Sequence, residues 1–107
     1  LARNRGEALG LSVFVRAEIL VGAELHADPL VERRRVLAVC GDLPVVLPDS
    51  RLADTYAAVH ASLRRQGTPL ATMDLLIACL ALNEGAPLLT ANRSHFSRIQ
   101  GLRLLEY

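Results

Sequence analysis

Residues 72–90, TMDLLIACLALNEGAPLLT, decide the fold of this chain. Apolar residues cover nearly every face of the first part of this stretch, which predicts a buried helix that Thr72 caps and Gly85 ends. The short apolar run at 87–90 follows at once and is typical of a buried strand. A buried helix next to a buried strand indicates an α/β fold with a parallel sheet.

The same alternation of strands and helices extends over the rest of the sequence. Strands are predicted at 9–15, 44–47, 87–90 and 102–105. Helices are predicted at 17–23, from the Asp28-Pro29 cap to Gly41, from a cap at Asp49 or Ser50 to Gly67, from Thr72 to Gly85, and through Phe96. Because the strands are continuous apolar runs, we expect a parallel sheet covered on both faces, within one domain over 1–107.

The composition is that of a folded protein. The chain has 107 residues, 51% of them hydrophobic, which excludes a disordered chain. Its longest apolar run spans 75–82, well short of the ~20 residues that cross a membrane. The formal net charge is +1, so contact with nucleic acid must depend on local patches, and among the arginines Arg93, Arg98 and Arg103 are the better phosphate contacts.

The two cysteines indicate a cellular compartment. Cys40 and Cys79 both lie inside apolar runs. This placement predicts buried thiols in a reducing cytoplasm, although one disulfide stays open as an alternative.

Asp74 is the first candidate functional residue. It is the only charged residue between Arg65 and Glu84, and it lies in the first turn of the predicted buried helix. Such an acid either complements the helix dipole, for about 0.3 to 1 kcal/mol, or belongs to a functional site at the edge of the core. The sequence leaves both interpretations open.

Glu18 is the second candidate, since it follows the 9–15 strand within about one helical turn. Alone, it is better explained as a first-turn acid paired with Arg16 or with an arginine elsewhere. Two carboxylates after two strands of one parallel sheet nevertheless indicate a shared site for a hard cation such as Mg²⁺. Thr90 and Asn92 follow the third strand and would add a hydroxyl and an amide oxygen to the same rim. No His or Cys spacing matches a zinc site, and no glycine-rich phosphate loop is present.

Three segments resemble the PIN-domain nucleases, and among them the toxins of VapBC-type toxin–antitoxin pairs. The first is Ser12-Val13 followed by AEILVGA at 17–23. The second is LRRQGTPL at 63–70 followed by DLLIACLAL at 74–82, and the third is LLTANRSHF at 88–96 followed by IQGL at 99–102. Their order and spacing carry the resemblance over almost the whole chain.

The resemblance implies a three-layer α/β/α fold and a Mg²⁺- or Mn²⁺-dependent endoribonuclease. In such a nuclease, clustered acids hold the metal, activate water and stabilise charge on the scissile phosphate. By position, Asp74 and Glu18 would be metal ligands, and Thr90 and Asn92 would lie on the catalytic rim. His95 occupies a nearby position that is Asp in many members, which leaves a fourth acid unassigned. The resemblance also implies an RNA substrate, an antitoxin partner and a homodimer, and the short apolar runs predict no membrane association.

The beginning of the sequence departs from the family pattern. Family members begin with a central strand that ends in an Asp, the leading metal ligand, whereas residues 1–8 look like the end of a later helix. We therefore expect that roughly twenty to forty residues are missing. These 107 residues alone are then expected to be poorly stable and inactive, because the flanking strands would keep unpaired backbone groups.

Two other classes of function stay open. A catalytically incomplete PIN-like module would bind an antitoxin or itself without hydrolysing RNA. An upstream strand ending in Asp would favour the enzyme, and its absence from the gene would favour the module. A phosphate-binding or receiver-like α/β domain ranks last, because the chain has no lysine, which such a receiver site normally uses.

Overall fold

A computed structural model describes residues 10–90 and 92–105 of the chain. Four strands and five helices lie in the described part, and they alternate in the predicted order. They are β1 (Leu11–Ser12), α1 (Val13–Glu24), α2 (Pro29–Cys40), β2 (Val45–Val46), α3 (Arg51–Arg65), α4 (Thr72–Glu84), β3 (Leu88–Leu89), α5 (Arg93–Phe96) and β4 (Leu104–Leu105). The described residues form two compact units, 10–47 and 48–105, and the single domain over 1–107 stays a prediction.

In unit 10–47, the strands β1 and β2 form a parallel pair with Leu11 opposite Val45. The prediction of a strand over 9–15 is wrong at residues 13–15, which form the first turn of α1, and residue 9 lies outside the described residues. The helix begins early because the Ser12 hydroxyl accepts a hydrogen bond from the Val15 amide at 3.0 Å. A serine that caps a helix in this way outweighs the strand preference of the β-branched residues that follow it.

Helix α2 begins and ends where the sequence predicts. The Asp28 carboxylate accepts a hydrogen bond from the Val31 amide, and Pro29 occupies the first helical position. The helix ends at the buried Cys40, directly before Gly41. Several large apolar side chains of α1, α2 and the turn between them are exposed. They are Val21, Leu25, Leu30, Val31 and Val39.

In unit 48–105, the helix α4 forms the centre of a hydrophobic core. Its residues Leu75, Ala78 and Cys79 are fully buried, which confirms the buried helix. The other buried members of the core come from α3, α5 and the loops that flank them. They are Leu63, Leu70, Phe96 and Ile99. Burial also raises the pKa of the Cys79 thiol to about 11, and both cysteines are free thiols, as expected.

The ends of α4 are only partly as predicted. Thr72 is not the cap, because it is already the first helical residue, and Ala71 holds the capping position without a side-chain hydrogen bond. The Leu75 amide donates to the Ala71 carbonyl at 3.0 Å, which closes the first turn. At the other end, Gly85 has a φ of 62° and ends the helix as predicted, since left-handed backbone favours glycine.

Both residues predicted as the cap of α3 contribute to the start of this helix. Ser50 lies in the capping position but makes no side-chain hydrogen bond there. The Asp49 carboxylate instead accepts a hydrogen bond from the Arg51 amide at 2.9 Å and from the Arg51 guanidinium at 3.0 Å. The guanidinium hydrogen bond holds the pKa of Asp49 below its usual range.

The strands β3 and β4 form a second parallel pair, with Leu88 opposite Leu104. The Thr90 amide donates to the Leu105 carbonyl at 2.9 Å, so this pairing fixes the backbone where β3 ends. Among the described helices, none is both long enough and apolar enough to cross a membrane.

Candidate active site

Asp74 lies at the edge of the core formed by unit 48–105. It is in the first turn of α4, and 29% of its side chain is exposed, whereas the adjacent Leu75 is fully buried. The amides of a helix N-terminus favour a negative charge at this point. The position therefore suits an acidic side chain and still gives it access to solvent.

The loop between β3 and α5 is held by short local hydrogen bonds. The Thr90 hydroxyl accepts a hydrogen bond from the Asn92 amide at 3.0 Å. The His95 amide donates to the Asn92 carbonyl at 3.2 Å, which begins the short helix α5. These bonds give Asn92 and His95 a defined place at the end of β3.

This loop brings two side chains to Asp74. The His95 Nε2 atom is 3.6 Å from the Asp74 Oδ2 atom, and about a third of the His95 side chain is exposed. The Asn92 Nδ2 atom is 2.8 Å from the other ring nitrogen, Nδ1. The imidazole also contacts the ring of the buried Phe96 at a centroid distance of 5.6 Å. Asn92, His95 and Asp74 thus form a connected polar group beside the core.

The structure places three of the four sequence-predicted site residues in unit 48–105. Asp74 and Asn92 are joined through His95, and Thr90 holds Asn92 in place. Glu18 is in unit 10–47, exposed in the second turn of α1, and its role stays a prediction. The contact of His95 with Asp74 was not predicted, because no local pattern in the sequence shows that the loop after β3 reaches α4.

The donors of this group fit a hard divalent cation in their chemistry. Asp74 offers a carboxylate, and Thr90 and Asn92 offer a hydroxyl and an amide oxygen. Mg²⁺ commonly binds one or two protein carboxylates and keeps several waters for substrate phosphates to replace. Within 10–90 and 92–105, no group of three or more His, Cys, Asp or Glu residues is close enough to hold a metal ion. Within unit 48–105, Asp74 would bind an ion together with water and neutral oxygen donors.

Two of the arginines expected near phosphate make contacts with backbone carbonyls. Arg98 donates from its guanidinium to the carbonyls of Thr68 and Pro69, at 3.3 and 3.4 Å. Arg103 donates to the Gly85 carbonyl at 2.8 Å. Both side chains therefore connect loops of unit 48–105.

Comparison with known proteins identifies the family. The family model described as PIN domain matches residues 1–102. The chain belongs to the PIN-domain family. This assignment confirms the family predicted from the three sequence segments.

Individual PIN-domain relatives agree with the assignment. The ribonuclease VapC1 of Rickettsia felis is 45% identical over 89% of this chain and 73% of its own length. The tRNA(fMet)-specific endonuclease VapC of Salmonella typhimurium is 30% identical over 91% of this chain and 74% of its own length. The structure of VapBC-1 from nontypeable Haemophilus influenzae matches with a TM-score of 0.87 and 29% identity, over 99% of this chain and 78% of that chain. The three-layer α/β/α PIN fold with parallel strands is therefore confirmed.

Proposed function

We infer that this chain is a PIN-domain endoribonuclease, the toxin component of a toxin–antitoxin system. Its family includes relatives named as VapC ribonucleases, and others named as tRNA(fMet)-specific endonucleases. The observation that carries the proposal is the Asp74 carboxylate, partly exposed at the N-terminus of a buried helix and next to polar side chains at the end of β3. A purely structural first-turn acid needs no such neighbours.

We propose that Asp74 and Glu18 are metal ligands and that Thr90 and Asn92 line the catalytic rim. Asp74 has the support of the geometry described above, whereas Glu18 is assigned from its place in the family segment at 17–23. Mg²⁺ or Mn²⁺, when bound, supplies an activated water and neutralises charge on the phosphate. Asp74 holds the cation, and the Thr90 hydroxyl keeps the Asn92 backbone in place.

Cleavage of a transfer RNA by the protein tests the proposal. Asp74→Asn removes the charge but keeps the size of the side chain. Loss of a residue that only hydrogen-bonds to a metal ligand already lowers activity by up to about 100-fold, so loss of the ligand itself should lower metal-dependent cleavage by more than this. Glu18→Gln is expected to weaken cleavage similarly. Asp54→Asn and Glu24→Gln are the controls, since Asp54 is exposed in the first turn of α3 and Glu24 is exposed on the same helix as Glu18, at its C-terminal end.

Two results would contradict this function. Full activity of Asp74→Asn would remove Asp74 from the site. A wild-type protein that binds an antitoxin but cleaves no RNA with either metal would be the catalytically incomplete module. Thermal unfolding of each variant separates a lost function from a lost fold.

We further propose an antitoxin partner, a homodimer and a cytoplasmic location. The solved relatives include a VapBC complex, which supports the antitoxin. Exposed apolar side chains such as Leu25 and Leu30 give a protein partner a surface to cover. Light scattering of the protein alone tests the homodimer, and light scattering after addition of the product of a neighbouring gene tests the antitoxin complex. A monomer under both conditions would contradict both proposals.

A further inference from the structure

We propose that His95 is a positioning residue for Asp74, with Asn92 fixing the imidazole so that its Nε2–H points at the carboxylate. This inference rests on the proposed function, because it assigns the group that orients a metal-binding acid. A histidine can donate a hydrogen bond to the Asp74 carboxylate, whereas an ionised acid at position 95 could only accept one.

The hydrogen-bond pattern sets the tautomer of His95. An amide NH₂ group only donates, so Asn92 Nδ2 at 2.8 Å makes Nδ1 of His95 the acceptor. The proton of the neutral ring is then on Nε2, the nitrogen that faces Asp74 Oδ2 at 3.6 Å. This distance exceeds that of a hydrogen bond by about 0.4 Å or more, and such contacts tighten when a functional complex forms.

The imidazole has little freedom to turn away. Its backbone amide donates to Asn92, its ring contacts the buried Phe96, and Thr90 holds the Asn92 backbone from the other side. About 29% of the Asp74 side chain and 34% of the His95 side chain are exposed, so solvent screens their attraction only in part. A donor held in this way orients the Asp74 carboxylate through Oδ2, and Oδ1 is the oxygen that we assign to the cation.

The opposite arrangement makes His95 a nitrogen ligand of the metal. It needs the proton on Nδ1 and an Asn92 side chain that presents its oxygen to the ring. The two arrangements therefore differ in tautomer, and each predicts a different result for a glutamine at position 95. The amide nitrogen of glutamine can replace the Nε2–H donor, but it cannot replace an imidazole ligand.

The first experiment reads the tautomer by long-range ¹H–¹⁵N NMR of the metal-free, full-length protein. At about pH 8.5, where histidine is neutral, we expect His95 in the Nε2–H form. Asn92→Asp presents only acceptors to the ring and should convert His95 to the Nδ1–H form. His60, which stacks on Tyr56 in α3, should not change and is the internal reference. An Nδ1–H tautomer in the unaltered protein would overturn the proposal.

The second experiment measures Mn²⁺ affinity by calorimetry and electron spin-echo spectroscopy. His95→Ala should weaken Mn²⁺ binding by about 10- to 100-fold, whereas His95→Gln should stay within about threefold of the unaltered protein. His60→Gln is the matched control and should change nothing. Equal losses in both His95 variants, no loss in either, or imidazole nitrogen coupling to Mn²⁺ would overturn the positioning role.

The two experiments separate this inference from the proposed function. If no Mn²⁺ bound to the unaltered protein while His95 had the Nε2–H tautomer, the metal-dependent nuclease would be overturned and the His95 arrangement supported. If Mn²⁺ bound and RNA was cleaved, but the tautomer was Nδ1–H, the nuclease would stand and the inference would fail. If His95→Ala does not fold, the tautomer of His95 in Asn92→Asp still tests the inference, because that measurement does not need the alanine variant.

Discussion

Helices α1 and α4 are both rich in apolar residues, yet the structure buries them very differently. In α4, five residues are buried, including Leu75 and Cys79, whereas in α1 only Ala23 is buried. Helix α4 lies in a unit with its own core, and unit 10–47 keeps apolar side chains such as Val21 exposed. Apolar composition therefore predicts burial only where other elements supply the packing surface. The burial of α4 matters for the candidate site, because Asp74 lies in the first turn of this helix, next to the fully buried Leu75.

The largest expected difference between the two regions is in unfolding free energy. Leu75→Ala opens a cavity in the fully buried core and should cost about 2 to 5 kcal/mol. Leu30→Ala, at a side chain in α2 that is 70% exposed, should stay within about 0.5 kcal/mol. Urea unfolding of the two variants measures both values. Similar losses would mean that α2 is as well packed as α4.

The buried thiol of α4 predicts a loss of stability at alkaline pH. Burial raises the pKa of Cys79 from an ordinary 9.0 to about 11, so the folded state keeps a proton that the unfolded state loses. The unfolding free energy is therefore unaffected by this thiol below pH 9 and should fall by about 2 kcal/mol as the pH rises to 11. Unfolding free energies measured across this range test it. Cys79→Ala should remove the decline, and an unchanged slope in that variant would contradict the prediction.

Glycine substitutions give the smallest effects, with opposite signs in the two helices. Gly85 has positive φ, so Gly85→Ala should destabilise the end of α4 by about 1 to 2 kcal/mol. Gly22 is exposed within α1, and a Cβ there meets nothing within 4 Å, so Gly22→Ala should stabilise by about 0.5 to 1 kcal/mol. Thermal unfolding compares the pair. The same sign in both variants would contradict the assigned backbone conformations.

Much of the fold could be predicted because its signals are local. The Asp28-Pro29 pair predicts a helix start from its own hydrogen bonds, and Gly85 predicts a helix end from backbone freedom. The boundary at Val13 could not be predicted, because strand and helix preferences compete there and the Ser12 cap decides between them. Thr72 failed as a cap because the helix closes on the Ala71 carbonyl instead.

The candidate site was predictable only in part. Asp74 has a local signal, since a lone charge in an apolar helix is visible in the sequence. Its contact with His95 depends on how the loop after β3 folds back onto α4, which no local pattern specifies. Arg98 shows the same limit, since its contacts with Thr68 and Pro69 join distant parts of the sequence.

The role of Asp74 is tested most simply by Mn²⁺ binding, compared between the unaltered protein, Asp74→Asn and Asp54→Asn. If Asp74 holds the cation, its substitution should weaken binding by more than about 100-fold, whereas Asp54→Asn should leave the isotherm unchanged. Equal affinity in all three proteins would contradict the account, because Asp74 would then be only a first-turn acid of a buried helix.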